Sequence, residues 1–138
     1  MTTKAAAPRM RVLVTGGRLF DDAAFVYSEL DRLNRERGPF ALLIHGGAPG
    51  VDLIADEWAA DHGVQPVECR ALWDYWEGKG RKKIAGAVRN RAMLWLKPHM
   101  VIAFPGGNGT ADMLEASEEW KKRGETIEIM RIAAKVPA

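Results

Sequence analysis

The feature that most constrains the fold of this chain is a glycine-rich turn that occurs three times, each time directly after a short apolar run. The turns read TGGR at 15–18, HGGAPGVD at 45–52 and PGGNGT at 105–110. After each turn, apolar residues recur at helical spacing over about the next 20 residues. In a parallel sheet the carboxyl ends of the strands meet at one edge, so the three turns are expected to converge there.

Five β-rich runs alternate with helical patterns along the chain, and this order determines the expected fold class. Most of these runs are continuously apolar, which is typical of strands covered on both faces, whereas the last alternates polar and apolar residues as an edge strand does. Helices are expected to start after Asp21 or Asp22, which can cap the first of them, and near Val51, Lys82 and Gly109. We predict an α/β, Rossmann-like three-layer sandwich around a mainly parallel five-stranded sheet, with strands at 11–16, 41–47, 66–71, 100–107 and 126–132.

Length and composition limit the domain organisation and the class of partner. The 138 residues suit a flexible N-terminal tail at 1–10 and one nucleotide-binding domain at 11–138. With 20 basic and 18 acidic residues the net charge is +2, which makes nucleic acid an unlikely partner. The single cysteine, Cys69, excludes an internal disulfide and fits a reducing cytosol, so we expect a cytoplasmic protein. No apolar run is long enough for a membrane span, and the N-terminus does not resemble a signal peptide.

The glycine turns predict a phosphate site. Glycine lets the backbone approach a phosphate closely, and the helix that follows offers unpaired N–H groups and a positive dipole end. The turns match neither the G-x-x-x-x-G-K-[ST] loop nor the dinucleotide fingerprint G-x-G-x-x-G. The candidate ligand-binding residues in the turns are Gly16, Gly17, Arg18, Gly46, Gly47, Ala48, Gly50, Asp52, Gly106, Gly107, Asn108, Gly109 and Thr110. Arg18 can hold a phosphate or lie in solvent.

A second group of candidates lies on the third predicted helix, at Arg89, Asn90 and Arg91. At helical spacing each arginine lies beside apolar residues, and a charge in such a place needs a partner. A ligand phosphate held by two hydrogen bonds is one partner, and a structural carboxylate such as Asp52 or Asp112 is the other. Asn90 can orient a ribose hydroxyl or simply face solvent.

Two further predictions concern aromatic and metal-binding residues. The segment 72–81 is the one long connection and a candidate ligand-facing flap, in which Trp73, Tyr75 and Trp76 either stack on a base or form an apolar lid or dimer contact. The other tryptophans have helical spacings consistent with packing, so we expect them to be structural. The three histidines and the one cysteine show no metal-ligand spacing, so we predict neither a metal nor a cofactor. The packing tryptophans are Trp58, Trp95 and Trp120.

With these residues in place, the chain resembles the SLOG superfamily of Rossmann-like domains, and most closely its YspA-like branch. The shared patterns are TGGR.F.D at 15–22, GGA.GVD..A at 46–55, RN..M at 89–93 and PGG.GTADM at 105–113. They occur in the same order and cover nearly the whole chain. The resemblance implies a Rossmann-like fold that binds nucleotides or their derivatives.

The LOG-type nucleoside-monophosphate phosphoribohydrolases of this superfamily resemble the chain in the PGGxGTxxE loop. The resemblance implies that an arginine on the preceding helix, here Arg89, and the glutamate that ends the loop carry out catalysis. Met113 occupies the glutamate position, and a thioether cannot stabilise an oxocarbenium-like centre. Asp112, one residue earlier and expected in the first helical turn, is an alternative catalytic acid, a ribose-hydroxyl acceptor or a structural residue.

The sequence therefore favours binding of a nucleotide or nucleotide-derived phosphate ligand at the carboxyl edge of the sheet. One alternative is a nucleoside-monophosphate N-glycosidase that uses Arg89 and Asp112. The other is a single-stranded DNA-binding module like DprA, which shares the turn at 46–52. A homodimer is a further expectation, because SLOG relatives often associate as dimers.

Overall fold

The five predicted strands are all present in the computed structural model, which describes residues 9–134. The strands are β1 (Met10–Thr15), β2 (Phe40–His45), β3 (Gln65–Glu68), β4 (Met100–Ala103) and β5 (Glu128–Arg131). They form one sheet in the order β3-β2-β1-β4-β5, and every neighbouring pair is parallel. The α/β, Rossmann-like prediction is confirmed, including the edge position of β5. Residues 1–8 of the predicted tail and 135–138 lie outside the described residues.

Helices cover both faces of this sheet. They are α1 (Ala23–Arg37), α2 (Val51–Asp61), α3 (Trp73–Gly78), α4 (Ala85–Leu94) and α5 (Asn108–Lys122), and a 3₁₀ turn at Lys82–Ile84 precedes α4. Within residues 9–134, none of the helices combines the length and apolar character needed to cross a bilayer.

Two hydrophobic cores result from the alternation of side chains along the strands. Val12 and Val14 of β1 point into the core shared with α1 and α2, which also contains Trp58. Leu13 points into the opposite core, shared with α4 and α5, which contains Met113. Because both faces are buried, the central strands had to be apolar at consecutive positions.

Helix ends were largely readable from the sequence. Asp22 caps α1 by accepting a hydrogen bond from the Phe25 N–H at 3.0 Å, and the helix ends at Gly38. The predicted helix from Lys82 is split, because its first turn is 3₁₀ and the α-helix begins at Ala85.

The segment 72–81, predicted as one long connection, contains the short helix α3. Of the three tryptophans expected to pack, Trp95 is the least covered: it lies 67% exposed just after α4, with its ring edge-on to that of Trp120 at 5.2 Å between centroids. By contrast, Trp58 is fully buried and Trp120 is 6% exposed, as predicted.

Candidate functional site

A cavity of about 590 Å³ opens at the carboxyl edge of the sheet, where β1 and β4 lie side by side. The chain runs from β1 outward through β2 and β3, then crosses to β4 and β5, so this is the point where strand order reverses. The described residues that line the cavity are Val14, Thr15, Gly16, Gly17, Arg18, Leu19, Phe20, Ala48, Asp52, Arg89, Asn90, Met93, Pro105, Gly106, Gly107, Asn108, Gly109 and Thr110.

The three glycine turns meet at the backbone of Gly17. Its N–H donates to Pro105 O at 2.9 Å, and its carbonyl accepts from Val51 N–H at 3.2 Å. A Cβ on Gly106 would lie 2.8 Å from Gly17 N, and one on Gly50 would lie 2.2 Å from Gly17 O. These turns therefore need glycine in order to pack against one another, as well as to leave room for a ligand.

The N-terminus of α5 forms one wall of the cavity. Gly107 caps the helix without a side chain, and the first hydrogen bond into it runs from Ala111 N–H to Gly107 O at 3.0 Å. The amides of residues 108–110 precede that bond and carry the positive end of the helix dipole. This wall therefore presents N–H donors to an anion.

Arg89 lines the cavity with its guanidinium half-buried. Nη1 donates to Gly46 O at 2.7 Å, and Nε donates to Asn90 Oδ1 at 3.0 Å. Among residues 9–134, no carboxylate oxygen lies within 4.0 Å of its nitrogens. Burial lowers the pKa of Arg89, and the more distant charge of Asp52 opposes that shift. The neutral acceptors fix the orientation of the guanidinium but leave its charge without an ion pair.

Arg18 adds a second positive charge to the cavity. Its side chain is exposed at the mouth, and its charge contributes to lowering the pKa of Arg89. Two guanidiniums that repel each other across one cavity are both stabilised when an anion lies between them.

Asp52, in the first turn of α2, holds the second glycine turn in place. It is 6% exposed, and its Oδ2 accepts from the N–H groups of Gly46 at 3.1 Å and Ala48 at 3.3 Å. Burial raises the pKa of Asp52, while the two amides and the charge of Arg89 oppose the shift. Because Gly46 O accepts from Arg89, the single residue Gly46 joins the buried carboxyl group of Asp52 to the half-buried guanidinium.

His45 is a site-supporting residue to which the sequence assigned no role. It is fully buried at the end of β2, where Nδ1 accepts from Gly47 N–H at 3.0 Å and Nε2 lies 2.6 Å from Asp56 Oδ2. Because Nδ1 is an acceptor, the ring proton is on Nε2 and is donated to Asp56. The only signal in the sequence was a histidine directly before a Gly-Gly pair.

Comparison with known proteins decides the family. The family model described as YspA, cpYpsA-related SLOG family matches residues 10–76. The chain belongs to this family. It is also 40% identical over 104 residues to the Gene 61 protein of Mycobacterium phage D29, an alignment that covers 70% of this chain and 78% of that protein. Membership in the SLOG family indicates a nucleotide-related function in broad terms.

The SLOG family match includes the first two glycine turns, whereas the third turn and Arg89 lie beyond the matched residues and line the same cavity in the structure. Four of the candidate ligand-binding residues are not among the described residues that line the cavity: Gly46, Gly47, Gly50 and Arg91. The three glycines shape the second turn, and two of them have positive φ, +73° at Gly47 and +84° at Gly50.

Asp112 and Arg91 form a clamp between α4 and α5. Asp112 Oδ2 accepts from Asn90 Nδ2 at 2.9 Å and from Arg91 Nη1 at 3.1 Å. Asp112 is not among the described cavity-lining residues, and it lies in the second turn of α5, because the helix begins one residue earlier than expected, at Asn108. The expected first-turn position is therefore wrong, and the contacts favour the structural alternative.

Met113, at the position of the phosphoribohydrolase glutamate, is fully buried in the core between the sheet and α5.

The residues of the predicted flap are also outside the cavity. Trp73 lies against Gly86 of α4, and Tyr75 is 54% exposed, but neither is among the described lining residues. Sequence reasoning missed the apolar part of the lining, which consists of Val14, Leu19, Phe20 and Met93.

Proposed function

We propose that this protein binds a nucleotide or nucleotide-derived ligand through its phosphate, at the carboxyl edge of the sheet. The observation that carries the proposal is the state of Arg89: a half-buried guanidinium in the cavity wall, hydrogen-bonded to neutral acceptors and joined to no carboxylate among residues 9–134. A buried charge without an ion pair costs free energy that a bound anion recovers.

The rest of the cavity supports a ligand with two chemically different parts. The glycine turns, the start of α5 and the two arginines suit a phosphate. Phe20 and Leu19 offer apolar surface on the same cavity, which suits a base, whereas Val14 and Met93, which also line it, belong to the hydrophobic cores. The volume of about 590 Å³ lies in the range of small-molecule sites.

Isothermal titration tests the proposal directly. The wild-type protein is titrated with nucleoside mono-, di- and triphosphates, NAD and ADP-ribose, and the best ligand is repeated with Arg89→Ala and Arg32→Ala. Arg32 is the matched control, because it lies on α1, pairs with Glu29 and is not among the described lining residues. Loss of a charge-assisted bond of about 1.5–3 kcal/mol weakens binding by roughly 10- to 150-fold in Arg89→Ala.

Thermal melting of both variants accompanies the titration, because Arg89 also holds Gly46. Binding of none of these ligands would contradict the proposal, and so would an Arg89→Ala variant that is folded and binds as tightly as the control.

The structure favours binding over hydrolysis of an N-glycosidic bond. Asp52 is the one carboxyl side chain among the described lining residues, and its Oδ2 is occupied by two backbone amides. Asp112 is engaged between helices, and Met113 is in the core. We expect no release of free base when any nucleoside monophosphate is incubated with the protein at high concentration, as measured by chromatography.

A further inference from the structure

Asp52 has one carboxylate oxygen that no described residue satisfies. Both of its hydrogen bonds, from Gly46 and Ala48, end on Oδ2. In residues 9–134, no buried side-chain oxygen is both sealed from solvent and without a hydrogen-bond partner. Because Asp52 is 6% exposed and lines the cavity, its Oδ1 is open to the cavity.

The chemistry of Oδ1 restricts which part of a ligand can lie against it. A carboxylate oxygen is an acceptor and needs an N–H or O–H donor. A ligand phosphate at neutral pH carries mainly acceptor oxygens and negative charge, so it belongs near Arg89 and not near Asp52. A ligand group next to Asp52 would therefore be an N–H or O–H donor that is attached to the phosphate at short range.

The distance between the two ligand-binding groups is set by one residue. Gly46 donates its N–H to Asp52 Oδ2 and offers its carbonyl to Arg89 Nη1 at 2.7 Å. The acceptor and the cation are thus on either side of a single glycine. In a nucleoside 5′-phosphate, the ribose hydroxyls are the donors that lie nearest the phosphate, since one methylene joins the sugar ring to it.

We propose that Asp52 Oδ1 accepts a hydrogen bond from a ribose hydroxyl, so that the cavity selects ribonucleotides over nucleotides that lack ribose hydroxyls. This inference rests on the proposed function, because it assumes a phosphate held by Arg89. It assigns Asp52 two roles on its two oxygens: Oδ2 shapes the loop, and Oδ1 recognises the sugar.

The test compares each of the four common nucleoside 5′-monophosphates with its 2′,3′-dideoxy analogue, which keeps the base and the phosphate. Wild-type protein is expected to bind the ribonucleotide about tenfold more tightly, as a charge-assisted hydrogen bond implies. In Asp52→Asn the preference falls to about threefold or less, since the remaining hydrogen bond is neutral. Asp61→Asn is the matched control, because Asp61 is on the same helix but bonds Tyr27, and it keeps the wild-type preference.

Three results would overturn the inference. The first is equal affinity of the wild-type protein for the ribonucleotide and its dideoxy analogue, a result that does not depend on the folding of any variant. The second is an Asp52→Asn variant that binds both nucleotides more weakly by the same factor, which would mean that Asp52 only shapes the loop. The third is an Asp52→Asn variant that binds both more tightly by the same factor, which would mean that Asp52 only repels the phosphate.

Inorganic pyrophosphate separates this inference from the proposed function. If pyrophosphate binds and Arg89→Ala abolishes its binding, while ribose and dideoxyribose do not differ, the sugar assignment fails and the phosphate site stands. If neither pyrophosphate nor any of the nucleotides binds, the proposed function fails.

Discussion

At the scale of single residues, the absence of side chains shapes this site as much as their presence. A Cβ on Gly46 would lie within 2.4 Å of Arg89 Nη1, so a larger residue would displace the guanidinium. Gly107 and Gly109 differ, because an added Cβ would meet no atom within 4 Å at either position. These two glycines leave space at the start of α5 that the fold itself does not use.

Gly109→Ala is expected to stabilise the protein and impair ligand binding. Alanine favours a helix over glycine by up to about 1 kcal/mol, and Cβ atoms tilt toward the helix N-terminus, which here faces the cavity. We expect a higher free energy of unfolding in urea together with about tenfold weaker nucleotide binding by titration. Gly78→Ala, at the end of α3 and equally open, is the control that leaves affinity unchanged. Unchanged affinity in Gly109→Ala would show that this space is not used by the ligand.

The sequence predicted the position of Arg89 but not its partners. Helical spacing placed an arginine beside apolar residues, and the expected partners were a phosphate, Asp52 or Asp112. The structure places neither carboxylate in contact with Arg89, which donates to the backbone carbonyl of Gly46 and the side-chain Oδ1 of Asn90, and the phosphate stays a prediction. A sequence does not show which backbone carbonyl a side chain will contact, since every residue has a carbonyl.

At the scale of elements, α5 lines the cavity with its first turn and packs into the core with the next. Its first turn faces the cavity, while Met113, one turn later, is buried against Leu13, Val101 and Met93. Because of helical geometry, residues that face the cavity and residues that face the core lie within the same short stretch, 108–113. The position that carries a glutamate in the phosphoribohydrolases is here part of the hydrophobic core.

Met113→Glu is expected to destabilise the protein without creating activity. An unpaired charge in this core costs about 3–5 kcal/mol, whereas Met113→Leu conserves volume and costs less than about 1.5 kcal/mol. Urea unfolding measures both variants, and chromatography measures base release from nucleoside monophosphates. A folded Met113→Glu variant that releases base would mean that this side chain can reach the ligand.

The short helix α3 could not be predicted from the apolar pattern of the sequence. It has only six residues, and none of its side chains is buried, so it has no apolar face packed on the sheet. It forms beside the 3₁₀ turn and α4, with Trp73 against Gly86, and that contact depends on the tertiary arrangement. By contrast, α1 and α2 pack broad apolar faces on the sheet and were predicted nearly to the residue.

At the scale of the whole molecule, strand order determines where the site can form. The three turns lie far apart in sequence, but β1 pairs with both β2 and β4, so the turns that follow these strands meet. Parallel order and the location of the site followed from the alternation of strands and helices. The apolar lining from Leu19, Phe20 and Met93 did not, because nothing local distinguishes these residues from core residues.

A homodimer stays a prediction, and the exposed apolar face of α4 is where we expect it. Val88 of α4 and Trp95, directly after its last residue, are seven residues apart and are 42% and 67% exposed. Sedimentation equilibrium is expected to detect a dimer at micromolar concentration, and Trp95→Lys is expected to raise its dissociation constant at least about tenfold. Leu53→Lys on α2, which covers the opposite face of the sheet, serves as the exposed apolar control. A monomer at every concentration would contradict the prediction.

The backbone construction of the glycine turns has a consequence for how such a protein diverges. The glycine-turn side of the cavity consists largely of peptide groups, which substitutions elsewhere leave in place, whereas Leu19 and Phe20 are the apolar lining side chains that lie outside the buried cores. Under the proposed function, a lineage that keeps its glycines and Arg89 can therefore exchange one base for another at these two positions. Sequence similarity between two such proteins would then say much about a shared phosphate and little about the base attached to it.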